Sequence, residues 1–428
     1  MVSRVTPSSP APLSPGGAGH TGDLRRLRET FAPAGRSSGI DAARGLALFG
    51  MMATHVVAFL GPDGLPTWAT VFAGRASALF AILAGVSVVL ATRRVLDAPD
   101  GRGWARAAAG LVARGIVIAL VGLALELFTA SIAVILVNYG VMFVLAAAFL
   151  RCPTWLLGLL APAWLVGTPF LSHAIRAATD ATPEYTVPGF SMLATPGTFA
   201  EAILLTGYYP VIVWFGYLLV GMLLARLAAG RTWTPVTGLL LVCGGGALAA
   251  FCHAASTLLL TWKGLAVLEV LTNRYPPYAQ GSLEAALVTG SYGTTPTDSW
   301  WWLAIAGPHS GTPLDLLSTT GLAIAVLGLC IAADAALKDR TWALAPLSAP
   351  GSMPLSIYCG HVVAVEITKV TLPQTPAGDF GEFVLHVVLA VVFAIGWKLF
   401  VGARGPLEWP VTLATKGVHR ALGARMER

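Results

Sequence analysis

The chain has 428 residues, of which 56% are apolar and 11% charged, whereas an ordinary soluble domain carries roughly 25% charged residues. Its apolar residues come in runs of about 20, the length that crosses a bilayer as helix, and this excludes a string of soluble domains. The net charge of +6, from 27 Lys+Arg against 21 Asp+Glu, falls between the apolar runs instead of on one clustered basic face; that pattern excludes nucleic acid as a partner and marks topology signals.

In chain order, residues 1–39 are rich in Pro, Ser, Gly and Arg with no apolar run, and are expected to be a disordered cytoplasmic tail with a short surface helix around Asp23–Phe31. No apolar core precedes Ile40 and no cleavage site follows it, so the first run is expected to be a retained anchor and not a signal peptide. Apolar runs lie near 42–60, 70–91, 107–129, 131–150, 153–171, 207–228, 236–262, 313–334, 352–373 and 382–402. The connections after the second, fourth, sixth and eighth runs carry Arg93, Arg94, Arg102, Arg106, Arg151, Arg226, Arg231, Lys338 and Arg340. Those after the first and third carry no Lys or Arg, and those after the fifth, seventh and ninth hold only Arg176, Lys263 and Arg274. By the positive-inside rule this alternation predicts an all-α, polytopic transmembrane bundle of about ten spans in the cell membrane, with both termini cytoplasmic. The expected division is a tail at 1–39, a membrane domain at 40–410 and a basic cytoplasmic tail at 411–428. The five cysteines (Cys152, Cys243, Cys252, Cys330, Cys359) form no CxxC or other metal spacing, and no metal site is expected.

Two long connections, 172–206 with EYTVPGFSM and 263–312 with NRYPPYAQG and TDSWWWLAIAGPHSGTP, are dense in Tyr, Trp, Pro and Gly. Interfacial anchoring and a lid or substrate platform both fit that composition. No internal repeat of fixed period is present.

The first run, Ile40-Asp41-Ala42-Ala43-Arg44-Gly45 through Thr54-His55, separates Arg44 from His55 by 11 positions. At 100° per residue the two lie about 20° from a common face and roughly 16 Å apart along the axis. One face thus presents a cation near one surface and an imidazole deep in the membrane, where an ionisable group is a functional candidate. Arg75, Glu126, Asp315 and Glu366 fall toward the outer ends of their runs; a carboxylate there would orient His55 or pair with Arg75, and ordinary ion pairs, Arg75–Glu126 or Glu366–Lys369, fit equally. His253, His361 and His386 lie within apolar runs. His309, in GPHSGTP, is expected to be exposed and outside. Asn138 and Tyr139 are candidates for binding a ligand or joining helices.

An Arg, ten residues, then His on the first span resembles integral-membrane acyltransferases of the acyltransferase-3 type. IDAARGLALFGMM also resembles the heparan-α-glucosaminide N-acetyltransferase-like and DUF418 families. GRASALFAILAGVSV with Arg93-Arg94, ARGIVIALVGLALE, VNYGVMFVLAAA, PLSIYCGHV and GARGPLEW extend the resemblance over most of residues 39–410. In several relatives the His55 position is Asn; here the loop Gly61–Ala69 has no His, which leaves His55 as the candidate. The resemblance implies an acyl-CoA-dependent acyltransferase, with acetyl-CoA as donor substrate at the cytoplasmic side and an envelope carbohydrate or glycolipid acceptor outside. Arg44, Arg93, Arg94 and Arg114 would meet the coenzyme A phosphates. His55, His309 and Glu126 are the catalytic candidates, and Arg75, Asn138, Tyr139 and His361 the substrate-binding ones. A transporter or flippase of a small or lipid-linked solute is the rival reading; a scaffold role has no feature behind it.

Overall fold

The computed structural model describes residues 29–31, 33, 35–97, 102–129, 132–272, 283–372 and 380–424. Asp23–Arg28 and NRYPPYAQG lie outside them. Among the described residues the secondary structure is helical, with one isolated bridge between Leu60 and Pro66. In order the helices are α1 (Ser38–Val56), α2 (Arg75–Leu96), α3 (Gly103–Leu125), α4 (Leu136–Ala146), α5 (Thr154–Thr179), α6 (Pro196–Glu201), α7 (Val211–Leu227) and α8 (Pro235–Leu259). There follow α9 (Leu265–Thr272), α10 (Leu283–Thr289), α11 (Pro313–Leu337), α12 (Ala345–Gly351), α13 (Pro354–Thr371), α14 (Phe380–Phe400) and α15 (Glu408–Ala424).

Each predicted apolar run overlaps one of these helices. The chain is a multi-pass membrane bundle: among the described residues six helical stretches are long and apolar enough to span, or seven if the pair Pro196–Thr206 and Val211–Leu227, bent by 52°, crosses as one. Length and apolarity do not mark α1, α4 and α13. The reason is local: α1 carries Asp41 and Arg44, α13 carries Glu366 and Lys369, and the apolar helix Leu136–Phe149 is short.

Helix starts follow capping chemistry. Ser37, Thr234 and Thr312 accept from the backbone N–H three residues on, and Pro opens α8, α11 and α13, where its missing N–H costs no hydrogen bond. Glycines set the closest helix contacts. A Cβ at Gly245 would lie 2.3 Å from the Gly321 carbonyl oxygen, and one at Gly238 2.6 Å from that of Gly328. These two seven-residue spacings bring α8 onto α11 at backbone distance, as small residues do between membrane helices. Gly221 and Gly85 do the same for α7 on α2.

Successive long helices return to the same two ends. At one end Asp334 of α11 accepts from Gly39 N–H at 2.9 Å, Arg36 donates to the Ser352 carbonyl at 3.2 Å, and Glu408 of α15 accepts from the Leu355 and Ser356 N–H groups at 2.8 and 3.1 Å. At the other, Thr129 donates to Glu366 at 2.6 Å. Residues 408–424, expected to belong largely to a tail, form α15, which packs on α3.

The two long connections fold against each other at the His55 end. The Tyr292 hydroxyl donates to the Tyr185 carbonyl at 3.0 Å, and Arg176 donates to the Thr295 carbonyl at 2.6 Å. Trp302 is buried with Leu260, Leu268, Leu283 and Ile305 in a small separate core, while Trp300 is 56% exposed. Two of the tryptophans therefore differ: Trp302 anchors a core that the loop shares with the helical stretch Pro235–Leu271, and Trp300 faces outward over His173.

Candidate functional site

Two constellations meet on α1. The first surrounds Arg44. Its guanidinium pairs with Asp41 three residues earlier, which also receives Arg36, and donates to Ser87 Oγ of α2 at 2.9 Å. A cavity opens there between α1, α2, α3, α4 and α13. Arg44, Ser87, Arg114, Tyr139 and Tyr358 line it among apolar side chains. Arg114 comes from the middle of α3 and lies 5.4 Å over the Phe143 ring, and its buried Nε has no hydrogen-bond partner. Two guanidinium groups thus share one largely apolar cavity, and the Asp41 carboxylate is already divided between Arg44 and Arg36. A buried charge in such surroundings calls for an anionic or carbonyl partner.

Of the four arginines expected to meet a donor, the structure brings Arg44 and Arg114 together. Arg93 and Arg94 lie exposed in the last turn of α2 and do not line this cavity. Tyr139 is a wall of the cavity, its ring 5.6 Å from Phe80. Asn138, one residue before it, faces elsewhere: its Nδ2 donates to the Tyr209 carbonyl at 2.8 Å and the Ile203 carbonyl at 3.4 Å. Those carbonyls flank the break before α7, where a π-helical turn at Ala202–Thr206 disrupts regular pairing, so Asn138 satisfies backbone groups that the bend frees.

The second constellation surrounds His55. Its Nδ1 lies 3.2 Å from Nε2 of His361 on α13, with the rings stacked at 5.3 Å. His361 Nδ1 in turn lies 3.1 Å from Nδ1 of His386 on α14. His386 Nε2 is 3.4 Å from Thr368 Oγ1 and 3.8 Å from Glu382 Oε1, and Thr368 donates to that same carboxylate. His361 spends its two nitrogens on two different neighbours, so the imidazoles form a chain and do not converge. Among the described residues no group of three or more His, Cys, Asp or Glu is placed to hold a metal ion.

The carboxylates expected to orient His55 bind other groups: Asp315 accepts from the Gly311 N–H at 3.1 Å and Glu366 from Thr129. Arg75 donates to the Thr70 and Val71 carbonyls at 3.1 and 2.9 Å, not to Glu126. The Glu126 carboxyl packs on Gly189 so closely that a Cβ there would overlap it at 2.3 Å. Glu366 and Lys369 do form the ion pair their spacing allows, at 3.4 Å.

His309 corrects an expectation. It is buried, 8% exposed, not a surface residue. Gly311 and His309 itself take left-handed backbone angles (φ +64° and +52°) that fold GPHSGTP inward over Gly74. The imidazole sits against Tyr208, Tyr209 and Trp214 at 4.4, 5.7 and 6.0 Å, with Nδ1 unpartnered. Burial first, then the His55 imidazole, lower its pKa to about 3, so it stays neutral under ordinary conditions.

Sequence reasoning left Ser87, Tyr358, Thr368, Glu382 and His386 out of the candidate site. Part of that signal was present: Glu382 and His386 are spaced i, i+4 and His361 and Thr368 i, i+7, each pair on one helical face.

The family model for the catalytic domain of heparan-alpha-glucosaminide N-acetyltransferase matches residues 36–276. No curated protein matches the chain. The matched segment exceeds half of the 428 residues and contains Arg44, His55, Ser87, Arg114 and Tyr139. The chain belongs to the heparan-alpha-glucosaminide N-acetyltransferase catalytic family.

Proposed function

We propose that the chain transfers an acetyl group from acetyl-CoA, bound from the cytoplasmic side, to a hydroxyl or amine of an envelope carbohydrate or glycolipid on the outer side. The observation that carries this reading is the pairing of Arg44 and Arg114 in one cavity on the helix that bears His55 three turns further along. The two cations suit the anionic and carbonyl groups of an acyl-CoA. His55 is half-buried and serves as the base that removes the acceptor's proton while the acceptor attacks the thioester carbon. Ten crossings, with the Arg44 end inside, fit both the alternation of basic connections and the return of successive helices to the same two ends.

Acetyl-CoA binding to the purified protein in detergent tests the reading. Arg44 also holds Asp41 and Ser87, so Arg114→Gln is the cleaner probe, and Arg94→Gln is the control. Loss of one charge-assisted hydrogen bond, about 1.5–3 kcal/mol, predicts that Arg114→Gln weakens binding roughly 10- to 150-fold while Arg94→Gln binds as the parent. Parent protein that binds no acyl-CoA, or equal affinity in all three, overturns the proposal in favour of a transporter.

A further inference from the structure

The imidazole chain has a direction, and its hydrogen bonds determine which one. A neutral imidazole carries one N–H and one bare nitrogen. At the far end, an ionised Glu382 only accepts, and the Thr368 hydroxyl has its one hydrogen directed to Glu382 or to the Val365 carbonyl. Both oxygens that face His386 Nε2 are therefore acceptors, which places the proton of His386 on Nε2 and leaves Nδ1 bare. That bare nitrogen faces His361 Nδ1 at 3.1 Å, so His361 must donate from Nδ1 and keep Nε2 bare. His361 Nε2 faces His55 Nδ1 at 3.2 Å, so His55 must donate from Nδ1. With Glu382 ionised this is the assignment that satisfies every contact, and it leaves His55 Nε2 unprotonated.

We propose that Glu382 and Thr368, acting through His386 and His361, fix His55 as a base at Nε2 and store the proton it removes. The proposal rests on the acyl-transfer reading for its chemistry. As the acceptor's oxygen or nitrogen bonds to the acyl carbon, its proton passes to His55 Nε2. The His55 Nδ1 proton moves to His361 Nε2, the His361 Nδ1 proton to His386 Nδ1, and the His386 Nε2 proton to Thr368 Oγ1, whose own hydroxyl proton passes to Glu382. Each imidazole ends neutral, and the carboxylate becomes the acid. When the carbon–sulfur bond breaks, its electron pair stays on sulfur. The shifts then reverse, and the proton leaves His55 Nε2 for the thiolate. Acceptor and thioester have become acylated acceptor and thiol, and every tautomer is restored. The gain is that no imidazolium has to persist in an apolar interior, where an isolated charge is costly.

The surroundings fit a closed chain. His386 is buried and the Glu382 side chain is 12% exposed. Trp68 packs edge-on against Phe380 and Phe383, on either side of Glu382 in sequence. The other ionisable groups near the chain are Lys369 and Glu366, which pair with each other, and the neutral His309 beside His55. His361, His386, Thr368 and Glu382 all lie beyond residue 276, outside the segment that defines the family.

Nitrogen-15 NMR of the full-length protein, labelled at histidine and held in detergent micelles, reads the tautomers directly. The expected spectrum has a bare Nε2 on His55, a bare Nε2 on His361 and a bare Nδ1 on His386. Glu382→Gln puts an amide donor within reach of His386 and should reverse or scramble that pattern. Thr368→Val, nearly isosteric, should weaken it without disturbing packing. In turnover, Glu382→Gln should lower kcat about tenfold or more with KM for acetyl-CoA unchanged, and a proton inventory that curves in the parent should become linear. A protonated His55 Nε2 in the parent, or tautomers and kcat that ignore both substitutions, overturns the relay. The stated tautomers in a protein that binds no acyl-CoA would sustain the hydrogen-bonded chain and overturn the acyl-transfer reading alone.

Discussion

The family-matched segment, 36–276, and the C-terminal part, 283–424, contribute differently to one site. The first supplies both cavity arginines, Ser87, Tyr139 and His55; the second supplies Tyr358, Pro354 and Leu355 to the cavity wall and the rest of the imidazole chain. Charge recognition sits in the matched segment, while proton handling is shared with the other part. The residues that mark the family are therefore not enough to complete the site. α13 must lie against α1 for His55 to have a partner at all.

The largest expected effect breaks that junction. Gly351 ends α12 where it crosses α1, and a Cβ there would stand 1.8 Å from the Asp41 carbonyl oxygen and 2.6 Å from Gly45 N. Both are backbone atoms and cannot rotate away. Gly351→Ala should destabilise the bundle by about 3 kcal/mol, read as loss of a monodisperse peak and of cooperative thermal unfolding in detergent. Gly360→Ala, nine residues on, meets nothing within 4 Å and should fold normally. If Gly351→Ala folds as well as Gly360→Ala, the two parts do not dock as described.

Much of the framework was legible in the sequence because apolar runs and basic connections are local signals. The Arg44–His55 register was legible for the same reason: both residues lie on one helix, and helical geometry fixes their relation. His361 and His386 were visible as histidines in apolar runs but not as partners of His55, since 306 positions separate His55 from His361 and nothing local encodes which faces meet. Arg93 and Arg94 resemble Arg114 by residue type alone; only burial distinguishes a mid-helix cation facing a cavity from two in an exposed last turn. His309 misled for the opposite reason. Gly, Pro and Ser around it indicate an exposed loop, yet the left-handed backbone at His309 and Gly311 turns the segment inward.

An intermediate effect sharpens the division within the C-terminal part. Trp302 is 1% exposed in the small core that joins the loop to Leu260 and Leu268, whereas Trp300 is 56% exposed. Trp302→Ala should cost about 3–5 kcal/mol locally, seen as faster hydrogen exchange and proteolysis within 283–312, with the long helices intact. Trp300→Ala should stay within about 0.5 kcal/mol. A similar response to both would mean that the small core does not hold the loop.

The smallest expected effect bears most directly on how the two parts divide the chemistry, because each holds one candidate carboxylate. Glu126, in the matched segment, caps the end of α3 with its carboxyl on Gly189. Glu382, in the other, ends the imidazole chain that begins at His55. Both carboxyl groups lie toward the His55 end, so position along the helices does not separate them; connectivity does. Replacing Glu126 by Gln keeps the size of the group and removes only its charge, at a site where no imidazole depends on it. Turnover of Glu126→Gln should therefore remain within about twofold of the parent, well below the loss of about tenfold or more expected of Glu382→Gln. The measurement is kcat for Glu126→Gln and Glu382→Gln side by side in one detergent, with thermal unfolding as the control for folding. A tenfold loss in Glu126→Gln beside an active Glu382→Gln would return the carboxylate to the matched segment. The family's own residues would then complete the acid–base machinery, and the C-terminal histidines would remain as packing around it.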